Sequence, residues 1–164
     1  MSNLHRIAEQ AVTGAIRRGV TVATAESLTA GMVAAMLADT PGASAMLQGG
    51  VVSYQNSVKA EVLGVPAELL DAVGSVDGQV AAAMADGARR LCRADVGLST
   101  TGVAGPEPHG DKAVGTVFIG VATATRSTSF AYTFEGNRPE IRGQACAAAL
   151  ERLLEVLSSD GYPA

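Results

Sequence analysis

Leu4, Ile7, Ala8, Ala11, Val12, Ala15 and Ile16 recur three and four residues apart, with polar residues between them. That period gathers one apolar stripe on a helix, and Gly19 marks its stop. The run VTVATA at residues 20–25 is apolar and β-branched, which predicts a buried strand. In ESLTAGMVAAMLADT, Ser27 or Thr29 is placed to cap a helix reaching about Asp39. PGASAMLQGG reads as a loop with room for a short helical turn, and VVSY as the strand after it. Short helices follow in QNSVKAEVLG, with Asn56 as cap, and from Pro66 to Leu70. Asp77 is placed to cap a longer helix from about Gly78 to Leu91.

ADVGLSTTG is the next strand, and VGTVFIGVATA and STSFAYTF are two more, joined by the short polar TRS as a hairpin. NRPEIRGQACAAALERLLEVL closes the pattern as a helix, with Asn137 as cap, Pro139 in the first turn and Glu140 completing a capping box. Helix and strand mostly alternate, and the late hairpin requires an antiparallel pair. The expected fold is α/β: a three-layer α/β/α sandwich around a mixed, mostly parallel sheet, in a single domain over residues 1–164.

Composition narrows what such a domain can do. Hydrophobic residues make up 48% and charged residues 17%, so a packed aliphatic core is expected and disorder is not. Net charge is −4, and aromatics are 4% with no Trp. A long nucleic acid is therefore not an expected partner, whereas a small anion needs only a few local donors. Cys92 and Cys146 match no metal spacing, and His5 and His109 cluster with neither, so no metal is expected. The N-terminal segment has no apolar signal core, and no run is long enough to span a membrane; the reading is a cytoplasmic protein with no membrane partner. The Ala-rich stretch Val80–Ala88 leaves two packings open, against a second copy as a homo-oligomer or against its own sheet.

Ligands of open α/β sheets sit at the carboxyl ends of strands. Three segments end there in small or polar residues: Ala25-Glu26-Ser27, Ser53-Tyr54 and Ser99-Thr100-Thr101-Gly102. The last opens the stretch LSTTGVAGP, where glycines let a backbone approach something closely. Glu26 is the single acid among these ends, so no facing carboxylate pair for glycosidase chemistry is present. The segment GASAMLQGGVVSYQNSVKAEVLG is denser, with Ser44, Ser53, Tyr54, Asn56, Ser57 and Lys59 around one strand. A lysine replaces histidine as general base when burial brings its pKa from about 10.4 toward 7. On spacing alone, Lys59 also fits a solvated helix lysine, Tyr54 a core or rim aromatic, and Ser44 a loop hydroxyl.

ATAESLTAG, GGVVSYQNSVKAEVLGV, TTGVAGP and AVGTVFIGVA occur in that order across nearly the whole chain. Together they resemble the CinA C-terminal domain family, which includes nicotinamide-nucleotide amidohydrolase. The resemblance implies hydrolysis of the carboxamide of nicotinamide mononucleotide to nicotinate mononucleotide and ammonia, with no cofactor. It implies a serine–lysine mechanism assisted by a tyrosine, and the matching positions are Ser44, Tyr54 and Lys59. Thr101 matches the strand-end hydroxyl, and Arg142 the helix arginine, with Arg138 close by. Substrate contacts are expected from Glu26, Ser27, Thr29 and Gly31 of TAESLTAG, from Gly50, from Thr101, Gly102 and Gly105 of TTGVAGP, and from Arg142. Backbone N–H groups beside Ser44 or in a Gly49-Gly50 turn are the expected oxyanion donors.

Departures from the family pattern are local. Leu28 stands for the usual Cys and Ala30 for the first Gly of TAESCTGG. Ala113 replaces the Pro of KPVGTV, and Gly78 stands where an acidic residue is common. The chain is too short for both domains of the two-domain members, so pyrophosphatase activity is not expected. The competing reading is a non-catalytic nucleotide-binding module with the same pocket. The two separate at Lys59, which an enzyme needs neutral and a binder keeps charged against phosphate.

Overall fold

The computed structural model describes residues 2–159. Its elements form where local signals agree with the apolar pattern. Helix α1 (Asn3–Arg18) is capped by Ser2, whose side chain accepts from the His5 N–H, and ends at Gly19 in the left-handed region. Strand β1 (Val22–Glu26) follows, then helix α2 (Met32–Ala38). After a one-turn 3-10 helix (Ala43–Ala45) come strand β2 (Leu47–Val52), α3 (Asn56–Glu61), α4 (Ala67–Val73) and α5 (Gly78–Leu91). Strands β3 (Val96–Gly102), β4 (Thr116–Ala122) and β5 (Ser127–Thr133) lead to α6 (Arg138–Ser158). Asp77 caps α5 by accepting from Gln79, and Asn137 with Glu140 forms the capping box of α6.

The sheet runs β2-β1-β3-β4-β5. Strand β1 pairs in parallel with β2 and β3, whereas β3–β4 and β4–β5 are antiparallel. The sheet is thus mixed but not mostly parallel, which corrects the sequence-based expectation. The cause is the connection after β3: a loop, not a crossover helix, returns the chain beside it, and the hairpin then adds a second antiparallel pair.

Helices cover both faces. Val22, Val96, Leu98, Ile119 and Val121 pack with α1 and α6, whereas Ala23 and Ala25 pack with Val80, Met84 and Ala88 of α5. Each fully buried Leu or Ile contributes about 2 kcal/mol of apolar transfer. The Ala-rich stripe of α5 is spent on its own sheet, against β3 and β4. It lies close because Gly97 and Gly120 carry no Cβ: one at Gly97 would collide with the Ala85 carbonyl, and one at Gly120 with that of Ala81. Ser99 Oγ uses the approach to donate to Ala81 O at 2.6 Å.

Three local expectations are corrected. Asn56 does not cap α3 but is its first residue, after Gln55, with no side-chain cap bond. Neither Ser27 nor Thr29 caps α2; its cap is Gly31, at φ 97° and without a side-chain bond. Gly49 and Gly50 form no turn but lie inside β2, paired with Ala23 and Thr24. A Cβ on Gly50 would meet Thr24 Oγ1, so this glycine serves sheet packing.

Candidate active site

The parallel run β2-β1-β3 brings three strand ends together: Glu26, Val52 and Thr100 are in register at the carboxyl edge. Ser27 follows β1, Ser53 and Tyr54 follow β2, and Thr101 and Gly102 finish β3. Beside them lies a cleft of about 260 Å³, bordered by Ser27, Tyr54, Thr101, Gly105 and Arg138 among others. Of the strand-end residues read from the sequence, Ser27, Tyr54, Thr101 and Gly102 border this cleft, whereas Glu26, Ser53, Ser99 and Thr100 are buried.

Behind Ser27 lies Lys59, carried on α3 and 1% exposed. Its Nζ lies 3.2 Å from Ser27 Oγ, 2.7 Å from Ser53 O and 3.3 Å from Tyr54 O. Burial lowers its pKa from 10.5 to about 8. No carboxylate pairs with it among the described residues. Ser27 is half-buried, and its hydroxyl has Lys59 as its one hydrogen-bond partner among the described residues.

Ser44 does not join this group. It is exposed in the 3-10 turn before β2, where Met46 O accepts from Val22 N at the amino edge of the sheet. The length of β2, roughly 20 Å of extended chain, separates that edge from Lys59. Ser44 is therefore out of reach of Lys59, and so are the N–H groups beside it.

Other expected contacts fall inside the protein. Glu26 is 1% exposed, and its carboxylate accepts from Thr29 Oγ1, Val33 N and Ala34 N, so it anchors the start of α2. Thr29 is fully buried between Glu26 and Thr100. Gly31 supplies the left-handed turn into α2, and Gly50 sits against Thr24; neither borders the cleft. Thr101, Gly102 and Gly105 do border it, although Thr101 Oγ1 donates to Ser75 O at 2.6 Å. A Cβ on Gly102 would press on Thr116 O, so this glycine also serves the β3–β4 contact.

The two arginines divide. Arg142 directs Nε to Leu28 O at 2.8 Å and Nη2 to Thr29 O at 3.1 Å, and does not border the cleft. Arg138, placed at the start of α6 by the capping box, does: Nη1 donates to Gly105 O at 2.6 Å and Nη2 to Tyr54 Oη at 2.7 Å. Tyr54 is half-exposed at the rim, with its carbonyl turned inward to Lys59. No group of His, Cys, Asp and Glu that could hold a metal occurs among the described residues. No helix among them is long and apolar enough to cross a membrane.

A family model described as the CinA C-terminal domain matches residues 4–157. A CinA-like protein of Frankia casuarinae is 47% identical over 143 residues, covering 87% of this chain and 33% of that protein. One from Anaeromyxobacter sp. (strain K) is 49% identical over 137 residues, covering 83% of this chain and 34% of that protein. The chain thus spans about a third of the length of these relatives. Among solved structures, the competence/damage inducible protein CihA from Agrobacterium tumefaciens superposes with a TM-score of 0.92 at 33% identity, covering 97% and 98% of the two chains. The competence damage-inducible protein A from Klebsiella pneumoniae gives 0.93 at 30% identity, covering 97% and 99%.

Proposed function

The chain belongs to the CinA C-terminal domain family, and from that premise we propose that it hydrolyses the carboxamide of nicotinamide mononucleotide, with Ser27 as nucleophile and Lys59 as general base. The observation that carries the chemistry is the contact between Lys59 Nζ and Ser27 Oγ. The family carries the choice of substrate.

A neutral lysine amine has two N–H donors and one lone pair. Ser53 O and Tyr54 O can only accept, so they take the two N–H groups. The lone pair is then left for the one neighbour that can donate, the Ser27 hydroxyl. Lys59 takes that proton as Ser27 Oγ bonds to the amide carbon. The resulting ammonium returns the proton to the amide nitrogen, the C–N bond breaks and ammonia leaves. Water attacks the acyl-serine ester, giving its proton to Lys59, and the C–O bond to Ser27 breaks. The carboxylic acid product leaves with Ser27 and Lys59 restored.

Burial of Lys59 behind Ser27 favours this reading over a binding module, whose lysine would face the cleft to meet phosphate. Tyr54 and Arg138 offer an aromatic face and a cation at the rim, suited to a pyridinium ring and a phosphate. Ammonia release from nicotinamide mononucleotide, without added metal, tests the proposal. Turnover by the parent and its loss in Ser27→Ala and Lys59→Ala support it. Binding without turnover moves the nucleotide-binding module ahead.

A further inference from the structure

We propose that the backbone N–H of Leu28, which borders the cleft beside Ser27, is an oxyanion donor and that Arg142 is the positioning residue that holds its turn. The proposal rests on the serine–lysine reading above.

The N–H of Ser27 itself is spent. It donates to Thr100 O at 2.9 Å, with Thr100 Oγ1 at 3.3 Å. The hydroxyl chain behind it has one consistent direction. Thr29 Oγ1 donates to Glu26 Oε1 at 2.7 Å, so Thr100 Oγ1 is the donor in its 2.8 Å contact with Thr29 Oγ1. The next two amides along the chain, Leu28 and Thr29, have no hydrogen-bond partner among the described residues, and Leu28 borders the cleft beside Ser27.

Their directions are set from outside the turn. Ser27 O accepts from Ala30 N at 3.1 Å, which fixes the peptide carrying the Leu28 N–H. Arg142 Nε holds Leu28 O at 2.8 Å. That bond holds the planar Leu28–Thr29 peptide, and so the residue whose N–H faces Ser27's side of the turn, in place. Arg142 Nη2 holds the following carbonyl, Thr29 O, at 3.1 Å. The turn needs such a hold because Ala30 and Gly31 are both left-handed, at φ 49° and 97°. A rigid planar fork suits two consecutive carbonyls, and a lysine cannot reproduce it.

The test compares Arg142→Ala and Arg142→Lys with the parent on nicotinamide mononucleotide. An oxyanion donor acts in the transition state, so kcat falls roughly 10²–10³-fold in Arg142→Ala while KM stays within about threefold. Arg142→Lys loses less, and guanidinium chloride at millimolar concentration restores part of the Arg142→Ala rate. The pH limb set by Lys59 does not move, because Arg142 makes no contact with it. A raised KM with kcat kept would place Arg142 on the substrate and overturn the proposal, as would unchanged kinetics in both variants. If Arg142→Ala shows no cooperative melt, Arg142→Lys carries the same comparison.

A fluorophosphonate separates this claim from the choice of substrate, since Ser27 Oγ displaces its fluoride whatever amide is natural. Parent protein that is labelled at Ser27 yet leaves the nucleotide intact removes the substrate and keeps the oxyanion claim. The labelling rate then falls in Arg142→Ala by a similar factor. Equal labelling of parent and variant, or no labelling of the parent, overturns the claim.

Discussion

Lys59 Nζ lies 3.2 Å from Ser27 Oγ, with no carboxylate against it among the described residues, although the two residues are 32 positions apart. Alanine at Ser27 therefore removes ammonia release by at least about 10³-fold, the loss expected when a nucleophile is deleted. Alanine at Ser44, exposed at the far edge of the sheet, leaves the rate within about twofold. Steady-state ammonia assays of the two variants decide between the serines.

The activity is expected to climb with pH. Lys59 is held at about 8, so at pH 7 about one molecule in ten carries the neutral amine. A pH profile of kcat/KM rises toward a plateau with its midpoint near 8. A flat profile from pH 6 to 9 would sink the role of Lys59 as base.

The same burial ties stability to pH. Lys59 binds its proton with a pKa of about 8 in the fold and 10.5 when free. Below the first value both states are protonated, and the fold carries the full cost of a buried ammonium. Between the two values the unfolded chain holds the extra proton, so stability rises with pH. Measured against Lys59→Met, the parent gains about 3 kcal/mol in unfolding free energy across that window. Urea titrations at pH 7.5 and 10.5 read the difference.

Ala30 stands at φ 49°, in the left-handed region that favours glycine. A Cβ in that region is strained, and Ala30 is exposed, so nothing is lost by removing it. Ala30→Gly raises stability by about 0.5 kcal/mol, after subtracting the greater freedom of glycine in the unfolded chain. Denaturant midpoints of the two proteins give the sign.

Gly97 has no room to grow, because a Cβ there meets the Ala85 carbonyl on the α5 backbone. Gly97→Ala forces the helix off the sheet and costs about 3 kcal/mol or more. A fall in thermal midpoint of less than a few degrees would contradict the close packing of α5.

Much of this was legible beforehand, and the failures have physical causes. Asp77, Asn137 and Glu140 announced their helices because capping is a local interaction between neighbours in sequence. The convergence of Ser27, Tyr54 and Thr101 followed from the rule that parallel strands share a carboxyl edge. That rule also separates the two serines. Ser27 follows β1 and Lys59 follows β2, whereas Ser44 precedes β2 and so belongs to the opposite edge. Nearness to Lys59 along the chain obscured this. Glu26 misled in another way: a carboxylate at a strand end reads as facing a ligand, and only the fold shows it turned onto α2. The paired glycines Gly49 and Gly50 read as a turn because their close neighbours, Cys92 Sγ and Thr24 Oγ1, come from other elements.

The β4–β5 hairpin turns at residues 123–126, beside Gly97 at the edge of the sheet remote from Ser27. Thr125 and Arg126 are exposed there. That makes the turn a port for engineering: a peptide tag, a fluorophore or a fused reporter spliced into it stands a full strand length away from the cleft. The protein offers one edge for chemistry and the other for handling, and immobilisation through the hairpin leaves the cleft open to solution.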